Sequence, residues 1–244
     1  MPGRSEATMY TNFESTPLAG EAVARLERLR RDAPVPNRFL DRLSGGEPTT
    51  DHLRRLVGVT HKCHPAELAA FAAMITRDPH PPAVRFFGDM LGLIHRARPK
   101  LRRVMSALGL AEEELRHWPP EPAAHQVACV WGRIALLGTQ SDAALALYWD
   151  MVRYFPESDE MLARLPGTGL DVPEEFTVYY GGGQSDDLER QALQVVEHGL
   201  TRGESMDDAV FAARLMEEAI GQYWAAAAGL PLTATVASAA GRTL

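Results

Sequence analysis

Cysteine is scarce: Cys63 and Cys129 are the only two in 244 residues. Two thiols cannot make a disulfide framework or a four-thiolate zinc site, and that usage points to a reducing, cytoplasmic setting. Long apolar runs are also missing. None approaches the roughly 20 residues that cross a bilayer, so no membrane association is expected. The opening residues 1–17 are polar and partly acidic, unlike a signal or transit peptide. Basic charge is in deficit, with a formal net charge of -7. Nucleic acid is therefore not an expected partner, because its phosphates would be repelled overall. The basic runs 25–31 and 96–103 alternate with apolar residues at helical spacing and read as solvated helix faces. A GxSxG elbow is absent, and no lysine follows Gly181-Gly182-Gly183 to make it a phosphate loop.

What the chain does have is helical periodicity. At 45% hydrophobic and 7% aromatic it can bury a core. Val23, Leu26 and Leu29 recur every three residues, and Pro34 and Pro36 end their helix. A short helix over 39–43 stops at Ser44-Gly45-Gly46. A long one over 51–76 follows an N-cap at Thr49-Thr50 and kinks at Pro65. The next spans 83–108, bends at Pro99 and closes at Gly109; a short one covers 111–117. Helices are then expected over 123–137 and 142–155, the second capped by Ser141 and ended by Pro156, with a short helix around Glu160. Residues 176–180 are the only strand-like run, and helices over 186–201 and 206–228 complete the pattern. The expectation is an all-α, single-domain bundle of seven to eight helices over 18–229, between a flexible N-terminus (1–17) and a flexible tail (230–244).

The eight histidines carry most of the chemical signal. His61 and His64 are three apart and share a helix face, which suits metal ligation, two imidazoles in one pocket, or a polar seam beside Pro65. His95 ends an apolar run that holds Gly88, Asp89 and Gly92, where paired glycines allow either close helix packing or room for a ligand. Asp150 follows a nearly continuous apolar stretch, so an inward carboxyl there must be paired, metal-bound or shifted in pKa. His198 sits beside Glu197 in a late helix, and only one of the two can face the core. Asp89, Tyr154, Tyr180 and Cys129 are candidate pocket residues, and the triple glycine beside Tyr180 reads as a lid or a plain loop.

Three segments carry a resemblance. They are Phe39-Leu40-Asp41-Arg42-Leu43-Ser44-Gly45-Gly46 with Leu53-Arg54-Arg55-Leu56, then Ser106-Ala107-Leu108-Gly109-Leu110 with Glu112-Glu113-Glu114-Leu115, and finally Gln222-Tyr223-Trp224. Over residues 36–224 the ordered helices resemble the heme-oxygenase-like superfamily, which includes TenA-type thiaminases, pyrroloquinoline-quinone synthase and heme-oxygenase-like diiron oxidases. Against the thiaminases, the aspartate and tyrosine of the second helix fall at His61 and His64, the nucleophilic cysteine near Asp150, and the late glutamate near Ile220. Loss of that cysteine argues against thiaminase chemistry. Against the diiron oxidases, the first glutamate falls at Gly88, next to Asp89. The histidine falls at His95, the second carboxylate at Asp150, and the last set at Gln191, Val195 and His198.

Titratable residues on otherwise apolar helices, together with that resemblance, point to a tailoring enzyme of natural-product biosynthesis acting on a small polar metabolite in the bundle's central cavity. Asp150, His198, His95, His61 and His64 are its candidate catalytic residues. One expected chemistry is acid–base elimination or ring closure, for example aziridine formation with loss of a leaving group. Another is oxygen activation by a single iron on His95, Asp150 and His198. A non-catalytic ligand-binding or partner subunit is the third expectation, and a homodimer is compatible with each.

Overall fold

The computed structural model describes residues 17–45, 48–77 and 79–230. It contains α1 (Pro17–Asp32), α2 (Arg38–Gly45), α3 (Thr50–Arg77), α4 (Pro81–Ala107), α5 (Glu112–Leu115), α6 (Gln126–Leu137), α7 (Gln140–Arg164), α8 (Glu174–Tyr180), α9 (Asp186–Thr201) and α10 (Met206–Ala227). Short 3-10 turns occur at Pro122–His125 and Leu165–Thr168. The all-α class holds, with no strand among the described residues. Seven helices run 12 residues or longer: α1, α3, α4, α6, α7, α9 and α10. The expectations for 1–16 and 231–244 lie outside the described residues, as does the stop at Gly46. Pro17, expected in the N-terminal segment, opens α1 instead.

Three local expectations are corrected. Residues 176–180 form α8, not a strand. Glu174 and Glu175 place negative charge in its first turn, where the helix dipole favours it. Phe176 and Tyr180 are then one turn apart and both buried, with ring centroids 4.5 Å apart.

Pro156 lies inside α7 instead of ending it, so the helix over 142–155 and the short one around Glu160 are continuous. The proline leaves one backbone bond unmade, but the next turn is anchored through Glu157. Its carboxylate accepts from Trp224 Nε1 at 2.6 Å, from Asn37 Nδ2 at 3.2 Å and from Arg153.

The α7 cap is Thr139, not Ser141. Asp142 N donates to Thr139 Oγ1 at 3.2 Å, and Thr139 N donates to Asp142 Oδ2 at 2.9 Å. Ser141 is instead buried against α9. Its N–H donates to Glu204 Oε2 at 2.8 Å and its hydroxyl to Val196 O at 3.2 Å. That approach requires Gly199, where a Cβ would overlap Ser141 Oγ and the Glu204 carboxylate. Both Pro65 and Pro99 sit within helices that continue past them.

Five helices close a ring: α3 packs on α4, α4 on α9, α9 on α7, α7 on α10, and α10 back on α3. Outside it, α6 covers α3 and α10, α1 covers α9 and α10, and α8 bridges α4 and α7. Buried aromatics hold the walls. Trp131 of α6 meets Phe71 of α3 edge-on at 5.2 Å, and Phe71 stacks on Phe87 of α4 at 6.1 Å. Tyr154 of α7 stacks on Trp224 of α10 at 5.7 Å, and Trp224 contacts Phe39 of α2 at 6.0 Å. No helix among the described residues is long and apolar enough to cross a membrane.

Candidate functional site

The ring encloses a cavity of about 490 Å³, within the range that buries a small organic ligand. Its two chemically richest walls face each other with the same helical register. From α3 come Thr60, Cys63, His64 and Glu67; from α7 come Leu147, Asp150, Met151 and Tyr154. Each set has the i, i+3, i+4, i+7 spacing of one helix face. Tyr179 and Tyr180 of α8 and Ile220 and Tyr223 of α10 add an aromatic side, while Met90, Leu93, Ile94 and Ala97 of α4 add an apolar one. Arg96, Lys100 and residues 181–185 form the rim.

Two carboxyl groups open onto this cavity. Burial pushes Asp150 up to about 7, and the negative charge of Glu157 adds to the effect. Burial pushes Glu67 up to about 8, and the charge of Asp150 adds to that. The charge of Asp150 favours the protonated form of Glu67, so the pair retains a proton near neutral pH. Glu67 Oε2 is buried and has no hydrogen-bond partner, an unmet demand for a donor or acceptor inside the chamber.

The hydroxyl groups nearby have fixed directions. Thr60 Oγ1 lies 2.8 Å from Leu56 O, 2.9 Å from Tyr180 Oη and 2.7 Å from Tyr223 Oη. A carbonyl can only accept, so the single threonine proton goes to Leu56 and both tyrosines donate to Thr60. Tyr223 can then accept from Tyr154, whose Oη is 3.4 Å away. Burial raises the pKa of all three phenols, so they remain neutral donors and acceptors.

His64 pairs with Tyr179, whose Oη is 2.9 Å from Nε2. Burial, with the positive charges of Arg98 and His61, lowers it to about 4, which makes it a neutral imidazole. The Cys63 thiol donates to Val59 O at 3.4 Å. Burial first, then the charges of Glu67 and Asp150, raise its pKa well above the ordinary thiol value. It is a protonated thiol, not a ready nucleophile.

Of the residues singled out from sequence, Asp150, His64, Tyr154 and Tyr180 meet in the cavity. Five others do not. His61 turns outward, with Nε2 3.9 Å from Glu112 Oε1. His95 is exposed, because Ile94 and the rest of the Met90–Leu93–Ala97 face take the inward direction of α4. His198 stacks on His80 with centroids 3.8 Å apart, outside the cavity lining. Asp89 is exposed and accepts from Gln191 Nε2 at 3.2 Å. Cys129 is exposed on α6.

His95, Asp150 and His198 therefore do not converge, and the single-iron arrangement is not formed. Among the described residues, no three His, Cys, Asp or Glu side chains come together as a metal-holding group. The residues present do not fit an iron site. Gly88 marks neither a close helix contact nor ligand room: it is exposed, with open space beyond it.

Glu67, Cys63, Thr60, Tyr179, Tyr223, Arg96 and Lys100 were not among the sequence candidates. For the α3 residues a signal existed, since Glu67 is i+3 from His64, i+4 from Cys63 and i+7 from Thr60. Compared with known proteins, the chain matches no protein-family model and no curated protein.

Proposed function

We propose that this chain is a small-molecule tailoring enzyme of natural-product biosynthesis, using Asp150 as base and Glu67 as acid for elimination or ring closure. The observation that carries the reading is the pairing of these two carboxyls on facing helix stripes inside one tyrosine-lined cavity. Burial raises both carboxyls towards neutral pH, where one of the pair can take a proton and the other can give one. The resemblance of residues 36–224 to heme-oxygenase-like enzymes supports the same reading, since those act on small molecules within a helical bundle.

In a ring closure, a substrate nitrogen attacks the carbon that bears an oxygen leaving group. The new C–N bond forms as the C–O bond breaks, and the electron pair departs with the leaving group. Asp150 takes the proton released from nitrogen, while the Glu67 proton is donated to the leaving oxygen or hydrogen-bonds to it. Enclosure by the helical ring limits competing attack by water. His64, on the same face of α3 as Glu67, and Tyr179 of α8 hold one another and fix that wall without exchanging charge.

The simplest probe with the required atoms is 2-aminoethyl hydrogen sulfate, with sulfate release followed by ion chromatography. Protein-dependent release is expected from this compound or its N- and C-substituted homologues. Asp150→Asn should lower the rate by roughly 100-fold or more. No protein-dependent release across the series, or an Asp150→Asn variant as fast as the parent chain, would overturn the reading.

A further inference from the structure

We infer that the cavity selects a zwitterionic ligand, with its protonated amine against Asp150 and the tyrosine oxygens and its anionic group at the rim on Arg96 and Lys100. This deepens the proposed function and rests on its reading of the cavity as a small-molecule site. The polarity is built into the lining. Among the described residues, no lysine or arginine other than Arg96 and Lys100 lines the chamber, and both of these are exposed on α4. Neither is held by a carboxylate among the described residues, so both cationic heads are available. Among the described residues of the inner walls, Asp150 and Glu67 are the only acids, and the sole ionisable nitrogen, His64, is neutral.

The tyrosine network adds to this asymmetry. Because Tyr180 and Tyr223 both give their protons to Thr60, what they can offer a ligand is oxygen lone pairs. Lone pairs and a carboxylate recognise an N–H-rich cation, and they repel an anion.

The rim also contains acids, and their positions matter. Asp186 and Asp187 begin α9 next to Gly181–Ser185, and Asp187 is engaged by Arg190, by Gln191 and, at 4.0 Å, by Arg85. None of Asp186, Asp187 and Glu189 lines the cavity. An anionic ligand group at the rim therefore meets Arg96 and Lys100 on its cavity side.

Isothermal titration at low salt tests the inference with 4-aminobutanoate, 6-aminohexanoate and 8-aminooctanoate, against hexanoate and hexylamine. At least one amino acid should bind tenfold or more tightly than either one-headed compound. Glu67→Gln/Asp150→Asn should remove the advantage over hexanoate. Arg96→Ala/Lys100→Ala, at exposed positions that the fold does not use, should remove the advantage over hexylamine while leaving the melting temperature unchanged. Binding at pH 7 should also release protons, read as a heat that varies with buffer ionisation enthalpy.

Equal affinities for one- and two-headed compounds, tighter binding of hexanoate, no binding of any amino acid, or affinities untouched by both double variants would overturn it. Binding of the amino acids without sulfate release from any aminosulfate would overturn the acid–base reading and leave this inference standing. Sulfate release with no amine advantage in binding would do the reverse.

Discussion

Thr60 and Tyr223 lie 2.7 Å apart, oxygen to oxygen, and the tyrosine is the donor, because the threonine proton is committed to Leu56 O at 2.8 Å. A one-turn back-bond on α3 thereby decides which way a hydroxyl on α10 points. The same logic applies to Tyr180 on α8, so one small side chain ties three helices to the cavity.

Thr60→Val keeps the shape and removes the shared acceptor. Two buried phenols then lose their partner, at a cost of about 1–3 kcal/mol each unless water enters. Urea unfolding should show a lower midpoint at unchanged slope. An unchanged midpoint would mean that these hydroxyls are satisfied some other way.

Glu67 has a folded-state pKa near 8, against roughly 4.3 in an unfolded chain. Between those values the native state binds the extra proton, so its stability falls as pH rises. Glu67→Gln removes the titration. The variant should gain on the parent chain from pH 5 to pH 9, as measured by urea unfolding at each pH. A difference that stays constant across that range would show that Glu67 is solvated.

His64 works in the opposite direction. Its folded-state pKa of about 4 lies below the unfolded value of roughly 6.5. The native state therefore binds fewer protons in that window, and the associated stability is lost as pH falls from 6.5 towards 4. His64→Phe should cost stability at pH 7, where Tyr179 loses its partner, and close the gap as the pH drops to 4. A gap that widens on acidification would mean that the imidazole is charged in the fold.

Two glycines should respond with opposite signs to alanine. Gly88 is in a helix, exposed, with open space beyond its Cα, so Gly88→Ala should stabilise by about 0.5–1 kcal/mol. Gly199→Ala drives a methyl into Ser141 and Glu204 where α7 meets α9 and should destabilise by about 1–3 kcal/mol. Thermal melts of the two variants are enough to decide; matching shifts would show that the α7–α9 contact gives way easily.

How far the site could be read from sequence depended on which helix face each residue occupied. Asp150 stands out in the sequence because a carboxyl after an apolar run has few comfortable environments. His95 looked equally good, since it also follows an apolar run, but α4 turns Ile94 inward and leaves His95 in water. Glu67 carries no apolar run before it to single it out, although its register with Thr60, Cys63 and His64 is present in the sequence. In α8, the unbroken β-formers at 176–180 suggest a strand, and only the i, i+4 contact of Phe176 with Tyr180 shows why a helix wins there.

The sequence by itself determined the helical class and most of the long segments, because apolar spacing, caps and breakers act over one or two turns. It also determined which side chains could do chemistry at all. Tertiary structure decided which of them meet. Asp150 and Glu67 are 83 positions apart in the chain, and only the closing of the α3–α4–α9–α7–α10 ring brings their helices to opposite sides of one cavity. That closure is set by how buried surfaces such as Trp131, Phe71 and Trp224 fit together, a property of the packed whole that no local window contains.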